Sequence, residues 1–329
     1  MTLETLKRFV LSGWRGYALI FIASLVAVSA MLLIERAVGI DWDYHPDAVT
    51  YATDTARFVA VIIATPYLAF NVMHYGLMHL LGGSVVAMTA LNMMLFAVTN
   101  VLVFDALKEK IIKRKLWVWV LLALFLLNPY RLHLATTILK DTVIIFFLAL
   151  IWTQRFWWLW VIPLLQWRVA GLFYLSTVFP RRWFIAAGFV TLVLVAINHA
   201  YLVDFANSVN SANIRLRSFD TVPNFTDYGL MGTALRMLLW PLMSITGVFT
   251  LFSSSLLFVP LALGALVSLI FALVMTKRFN PWSWLAVYAS MAAFAFFCTG
   301  FTTYIRYVYP VIGLLPLAVT FFDNKLQNQ

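Results

Sequence analysis

Many of the side chains that could transfer a proton or bind an anion lie at the ends of long apolar runs. Carboxylates could act as a general base or hold a divalent ion, and arginine and lysine could neutralise a phosphate. Charges at membrane depth are costly, so those that persist tend to line a cavity or a substrate path. The set consists of Asp43, His45, Asp47, Asp54, Arg131, His133, Lys140, Asp141, Arg168, Arg215, Arg217 and Arg306.

The segment HPDAVTYATDTARF carries the sharpest pattern. Asp47, Tyr51 and Asp54 are spaced by four and three residues, which places them on one face of a helix. Pro46 favours a helix start and puts Asp47 in the first turn, near the positive end of the helix dipole. The alternative is a surface helix whose aspartates only cap and solubilise it.

Further charged residues adjoin apolar runs later in the chain. Lys140 and Asp141 are neighbours at the start of TVIIFFLALIW, and Arg168 and Arg306 are each flanked by apolar residues. The alternative is a helix-terminal aspartate with snorkelling cations, which would have no part in binding. The histidines show no metal-ligand spacing, so a histidine metal site is not expected.

The composition is that of a multi-pass membrane protein. Of 329 residues, 63% are hydrophobic and 11% are charged, whereas a soluble chain carries about a quarter charged residues. The net charge of +10 comes from Lys and Arg clusters between apolar runs, as the positive-inside rule expects, so we expect no nucleic-acid partner. The lone Cys298 excludes an internal disulfide.

The charge pattern also predicts topology. Basic residues before the first span, 17–34, place the N-terminus in the cytoplasm, and the acidic segment 39–83 should be an external loop with interfacial helices. A second span, 84–106, then leads to the cytoplasmic cluster KEKIIKRK. We predict an all-α polytopic protein of about ten transmembrane helices, with residues 1–329 forming one transmembrane domain and both termini cytoplasmic.

The middle and end of the chain are predicted in less detail. Around Arg168 the sequence fits either a hairpin of two short helices, which we prefer, or one tilted span. Residues 204–252 should be an external loop followed by a re-entrant or interfacial segment, because Pro241 interrupts the apolar run. GFTTYIRYVYP should be external, and 311–322 should form the last span.

The order of these segments resembles the glycosyltransferase C superfamily of integral membrane enzymes, including bacterial O-antigen and exopolysaccharide polymerases. PDAVTYATDTA is similar to that family's helix after the first span, and HYGLMHLLGGSVVAMTALNMMLF to its interfacial helix entering the second span. NPYRLHLATTILKDTVIIFF resembles its third loop, and LRMLLWPL with CTGFTTYIRYVYPVIGLLPLA its closing pattern. The family's adjacent acidic pair is absent; Asp43 and Asp47, four residues apart, are the nearest match.

This resemblance implies sugar transfer from a polyprenyl-phosphate or -diphosphate carrier to a surface glycan, at the outer face of a bacterial inner membrane. Asp47 would be the base, with Asp43 and Asp141 as the other candidates. Asp141 would orient the phosphate-binding cations or help to hold a divalent metal ion. The residues expected to contact the substrate are Lys140, Arg168, Arg306, Arg131, Tyr51 and His133.

The expected partners are the polyprenyl-linked sugar, membrane lipids and other glycan-assembly proteins. Two other functions fit the same residues. A transporter or flippase for polyprenyl-linked glycans would use the charges along a substrate path, although no related halves are visible in the sequence. A non-catalytic partner in a glycan-assembly complex would not need these charges.

Overall fold

A computed structural model of the chain describes residues 13–54, 72–112, 114–153, 200–201, 203–208, 222–223, 225–252, 258–276, 280–298 and 300–327. Every regular element in these residues is helical. Internal contacts divide the chain into two compact units, Met1–Gly171 and Leu172–Gln329, and each unit has its own packing.

The first unit is built from seven described α-helices and one short 3-10 turn. The helices are α1 (Trp14–Ala37), α2 (Pro46–Asp54), α3 (Val72–Leu80), α4 (Val85–Ile111), α5 (Leu116–Leu126), α6 (Pro129–Ala135) and α7 (Asp141–Trp152), with the 3-10 turn at Trp42–Tyr44. In the second unit the described helices are α8 (Gly229–Thr246), α9 (Phe258–Met275), α10 (Pro281–Phe297), α11 (Phe301–Ile312) and α12 (Leu315–Gln327).

Several of these helices could cross a membrane. The stretches Trp14–Ala37, Val85–Ile111, Leu116–Ala135 and Phe258–Met275 are long and apolar enough, and a fifth span arises if α11 and α12 are counted together. This finding supports a multi-pass α-helical membrane protein. About ten crossings remain a prediction, and the predicted hairpin around Arg168 lies outside the described residues.

Polar residues set the starts of three helices. The Ser84 hydroxyl accepts a hydrogen bond from the Ala87 N–H at the start of α4. Asn128 and Asn280 cap α6 and α10 in the same way, and each is followed by a proline in the first turn. A side-chain acceptor and a proline suit this position, because the first N–H groups of a helix have no acceptor within it.

The helices α1 and α4 pack against each other and run in opposite directions. At one end Tyr17 donates a hydrogen bond to Asp105, and farther along Asn100 donates to Ser24 over 3.0 Å. Val28 then packs with Phe96 and with Ala135 of α6. The C-terminal end of α1 therefore lies beside the N-terminal half of α4, at the end of the unit where α6 and α7 meet.

The segment around Pro241 differs from the sequence prediction of an interruption. The helix α8 continues through Pro241 to Thr246. A proline in a helix leaves the carbonyl four residues earlier without its N–H partner. The Tyr288 hydroxyl of α10 lies 3.3 Å from the Met237 carbonyl and 2.5 Å from that of Leu238, so a neighbouring helix supplies the missing donor.

The closing segment forms two helices, and the second of them begins four residues after the start of the predicted last span, 311–322. Residues 301–312, predicted in large part to be external, form α11, and the chain bends by 57° before α12. The break falls at Gly313 and Leu314, just ahead of Pro316. A proline suits the first turn of a new helix, where its missing N–H costs no hydrogen bond, and this explains the position of the bend.

Candidate functional site

A buried carboxylate lies at the C-terminal end of α1. The Glu35 side chain is only 5% exposed. One of its oxygens lies 2.6 Å from Nδ1 of His133, and the other accepts a hydrogen bond from the Thr136 hydroxyl. Both partners come from α6 and its C-terminal cap, so these bonds also attach α6 to α1.

A second imidazole continues the line from Glu35. Nε2 of His45 lies 2.9 Å from Nε2 of His133, and the two rings are tilted by 54° with their centroids 5.1 Å apart. The ring of Tyr130 lies against His133, and the ring of Tyr44 lies against His45. A carboxylate and two imidazoles thus form one hydrogen-bonded chain, which can store or pass a proton.

The turn after α1 places His45 opposite His133. Gly39 adopts a φ of 81°, a left-handed conformation that favours glycine. Arg36 and Asp41 form an ion pair across this turn, and the 3-10 turn Trp42–Tyr44 leads directly into His45. Both members of the ion pair are solvent-exposed, so their contribution is to geometry more than to stability.

A buried lysine and aspartate lie at the start of α7 in the same unit. Lys140 is 8% exposed, and its ammonium nitrogen lies 5.6 Å from the centre of the Tyr51 ring. Asp141 is fully buried in the first turn of α7, near the positive end of that helix. The Asn92 amide of α4 donates to the carbonyls of Thr137 and Leu139, at 2.7 and 3.1 Å, and so holds the segment leading to Lys140.

Arg131 has a different environment from the other predicted substrate contacts. It is 1% exposed, and one guanidinium nitrogen donates to the Asn100 side chain over 2.6 Å. The guanidinium carbon lies 5.3 Å from the ring centre of Phe96 and 5.8 Å from that of Phe125. The structure thus places Arg131 within the packing between α4, α5 and α6.

The other predicted residues are placed as follows. Asp43 is exposed in the 3-10 turn, and Asp47 is half-buried in the first turn of α2. Arg306 is half-buried in α11 of the second unit, whereas Arg168 lies outside the described residues. Among the predicted residues, the structure brings His45 to His133 and Tyr51 to Lys140. From the sequence we also expect Asp47, Lys140, Arg168 and Arg306 to converge in one outward-facing pocket, and this stays a prediction.

Sequence reasoning missed Glu35, Asn92 and Asn100. Each could have been recognised in the sequence, because a carboxylate or an amide within an apolar run needs a hydrogen-bond partner there. Glu35 directly follows the predicted first span, 17–34, and the two asparagines fall within the predicted second span, 84–106. Their partners lie far along the chain, so the sequence alone did not connect them.

The fold and the site define a helical membrane protein with a buried carboxylate–imidazole chain at one end of its first unit. Within the described ranges, no three His, Cys, Asp or Glu side chains are placed to share a metal ion. No protein-family model, curated protein or solved structure matches the chain.

Proposed function

We propose that this protein is a membrane glycosyltransferase or polymerase that takes its sugar from a polyprenyl-phosphate or -diphosphate carrier. The observations that carry the proposal are the buried Lys140–Asp141 pair and the Glu35–His133–His45 chain, which lie in the same unit. A group-transfer site of this kind needs a cation for the leaving phosphate and a proton acceptor for the attacking hydroxyl. The apolar helices around it suit a lipid-linked donor.

The reaction exchanges one bond at the anomeric carbon for another. The acceptor hydroxyl oxygen bonds to this carbon, and the bond to the carrier phosphate oxygen breaks with its electron pair going to the phosphate. Lys140 binds that phosphate, and Arg168 and Arg306 are the further candidates that the sequence offers for this contact. Asp141 orients Lys140 or helps to hold a divalent ion. The hydroxyl proton passes to a base, for which Asp47 is the sequence-based candidate.

The location proposed for this chemistry is the outer face of a bacterial inner membrane. It rests on the acidic segment after α1. It also rests on the basic clusters, one before the N-terminus of α1 and one at the C-terminus of α4. The proposed topology keeps about ten crossings and two cytoplasmic termini. The product is a growing surface glycan.

The substitution Lys140→Met tests the proposed phosphate contact. Methionine keeps much of the apolar stem and removes the charge. A hydrogen bond to a charged group contributes roughly 1.5–3 kcal/mol, so binding of the carrier should weaken about ten- to a hundred-fold. Lys115→Met is the matched control, because Lys115 is exposed before α5, at the predicted cytoplasmic side.

Two measurements would be made on each variant: carrier binding to the purified chain and surface-glycan length in a strain that lacks the gene. The proposal expects short or absent glycan with Lys140→Met and normal glycan with Lys115→Met. Normal binding and normal glycan with Lys140→Met would contradict the phosphate contact. If substitutions at all of the proposed site residues leave the surface glycan unchanged, the enzyme proposal is wrong, and the non-catalytic partner function is favoured.

The Glu35–His133–His45 chain also favours a second function, proton-coupled transport of a polyprenyl-linked glycan. Carboxylate–histidine chains within membrane helices are used as proton relays by pumps and transporters. Proteoliposomes containing the labelled carrier separate the two functions. Movement of the carrier across the bilayer driven by a pH gradient, without sugar transfer, would favour the transporter.

A further inference from the structure

We propose that Arg236 is the centre of a buried phosphate-binding site in the second unit. The ligand is a phosphate group, carried either by a membrane lipid or as free inorganic phosphate. This site goes beyond the proposed function, because it lies in a different unit from Lys140 and needs no sugar transfer.

The Arg236 guanidinium is buried without a full set of hydrogen-bond partners. The residue is 0% exposed in α8, and its Nη2 donates to the Thr233 hydroxyl over 2.8 Å. Within the described part of the chain, Nε and Nη1 have no hydrogen-bond partner. These two nitrogens carry three of the five N–H donors of a guanidinium, which stays protonated in proteins. A buried cation with open donors is costly and points to an anionic ligand.

The described residues supply no carboxylate to this cation. Their ion pairs use Asp41, Asp105 and Glu35, all of which lie in the first unit. The ring of Trp240 lies against the guanidinium, with its centre 5.6 Å from Cζ of Arg236. An aromatic face attracts a cation but does not neutralise it. We therefore assign the balancing charge to a bound anion.

Hydroxyl groups lie around the same place. The ring of the fully buried Tyr304 lies 5.2 Å from that of Trp240, and the Tyr304 hydroxyl lies near that of Ser244. The Cys298 thiol acts electrostatically on both Arg236 and Tyr304, so these groups surround one location. A guanidinium with hydroxyls nearby suits a phosphate group, which offers more acceptor oxygens than a carboxylate.

The backbone before α8 covers this location. Gly232, Arg236 and Trp240 are spaced by four residues and form one stripe of the helix. The indole N–H of Trp240 donates to the Pro223 carbonyl over 3.0 Å, and a Cβ on Gly232 would lie 1.8 Å from the Phe225 carbonyl oxygen. The chain therefore contacts the stripe both before and after Arg236, which explains the burial of the guanidinium.

The cover lies at the surface and holds a strained residue. Phe225 has a φ of 54°, a left-handed conformation that is costly for a residue other than glycine. Asp227 and Tyr228, which follow it, are exposed. We expect a phosphate to reach Arg236 when the backbone at Pro223 and Phe225 moves away from α8.

Calorimetric titration of the purified full chain in a non-ionic detergent tests the site with two probes, inorganic phosphate and dodecyl phosphate. Every chain carries Lys140→Met, so that the phosphate contact proposed in the first unit does not contribute. Binding of dodecyl phosphate alone supports the site and identifies a lipid phosphate, whereas equal binding of inorganic phosphate supports it as a site for free phosphate. Binding of neither probe overturns the inference.

Substitutions of Arg236 locate the binding. Arg236→Met keeps the apolar stem and should weaken binding about ten- to a hundred-fold, the size expected for losing a hydrogen bond to a charged group. Arg236→Lys should recover only part, because a single ammonium replaces the planar fork. Arg15→Met changes an exposed arginine of the first unit and should bind like the parent chain. Unchanged affinity with Arg236→Met overturns the inference.

Thermal stability separates this role from a structural one. Without phosphate, Arg236→Met should melt at the same temperature as the parent chain or higher, because it removes an uncompensated buried charge. Phosphate should raise the melting temperature of the parent chain and leave that of the variant unchanged. An Arg236→Met chain that melts below a parent chain indifferent to phosphate would show a structural guanidinium and overturn the inference.

A Cys298 thiolate is the alternative source of negative charge. The chain has one cysteine, so the difference in ultraviolet absorbance between the parent chain and Cys298→Ser reports a thiolate directly. The site predicts a protonated thiol at neutral pH and phosphate binding that survives Cys298→Ser. A thiolate at neutral pH would overturn the inference, because Arg236 would then have its counter-ion within the chain.

Discussion

Replacing Asn100 by leucine should destabilise the first unit without changing the chemistry of each folded molecule. Leucine has nearly the same branched shape as asparagine but forms no hydrogen bonds. The Asn100 amide donates to the Ser24 hydroxyl and to the Leu126 carbonyl, each over 3.0 Å, and its oxygen accepts from Arg131 over 2.6 Å. One side chain therefore connects α1, α4, α5 and α6.

The expected decrease in the free energy of unfolding follows from these three hydrogen bonds. Interhelical hydrogen bonds in membrane proteins contribute roughly 0.6–1.7 kcal/mol each, so losing three should lower the free energy of unfolding by about 2–5 kcal/mol. The upper half of this range is favoured because Arg131 is buried and charged, and such groups are costly to leave with fewer partners. Ser24→Ala removes one of the three bonds and should cost about 1 kcal/mol.

The assay is equilibrium unfolding of the purified chain in mixed micelles with increasing SDS, followed by tryptophan fluorescence. Thr99→Val serves as the control. Thr99 is the buried neighbour of Asn100, but its hydroxyl donates to the Leu95 carbonyl within the same helix, so it joins no second helix. Its replacement should change the free energy of unfolding by less than 1 kcal/mol or so.

Two results would refute the reasoning. Asn100→Leu could unfold at the same SDS concentration as Thr99→Val, in which case the bonds contribute nothing measurable. Alternatively it could keep full stability and lose turnover, which would give Arg131 a direct part in substrate binding. Asn100 lies eight residues along α4 from Asn92, about 12 Å by helix geometry, so a direct effect at Lys140 is not expected.

Three further predictions concern the base, the second unit and the topology. Asp47→Asn should lower kcat by about 10²–10⁴-fold in the purified chain, because Asp47 is the proposed base; turnover within about tenfold of wild type would contradict this role. Gly232→Ala should lower thermal stability by more than 2 kcal/mol or so, because its Cβ would lie 1.8 Å from the Phe225 carbonyl oxygen, and an unchanged melting temperature would contradict this contact. A cysteine at Lys110 should react only with membrane-permeant reagents in intact cells, and labelling by an impermeant reagent would contradict the cytoplasmic assignment of that end of α4.

The sequence predicted well those features that depend on local pattern. Ser84 marks the start of α4, where the predicted second span begins, although the helix continues beyond residue 106 to Ile111. Pro46 opens α2, and Tyr51 lies in that helix four residues after Asp47. Composition, capping and hydrophobic runs determine these features, and all of them can be read from neighbouring residues.

Features that depend on distant partners could not be read in this way. Pro241 predicted an interruption, but the Tyr288 hydroxyl, from another helix, supplies a donor for the exposed carbonyl. His45 and His133 were both identified as external residues, yet their contact joins positions 88 residues apart. Glu35 is the residue that contacts His133 on its other ring nitrogen, and this contact follows only once α1 and α6 are packed together.

The central claim is that the carboxylate–imidazole chain serves sugar transfer at the outer face of the membrane. The most direct measurement is the amount and leaflet of carrier-linked donor in a strain that lacks the gene and expresses the Glu35→Gln chain. The account predicts that donor accumulates on the outer leaflet and that the surface glycan stops growing. Normal glycan without accumulation, or donor retained on the inner leaflet, would contradict it.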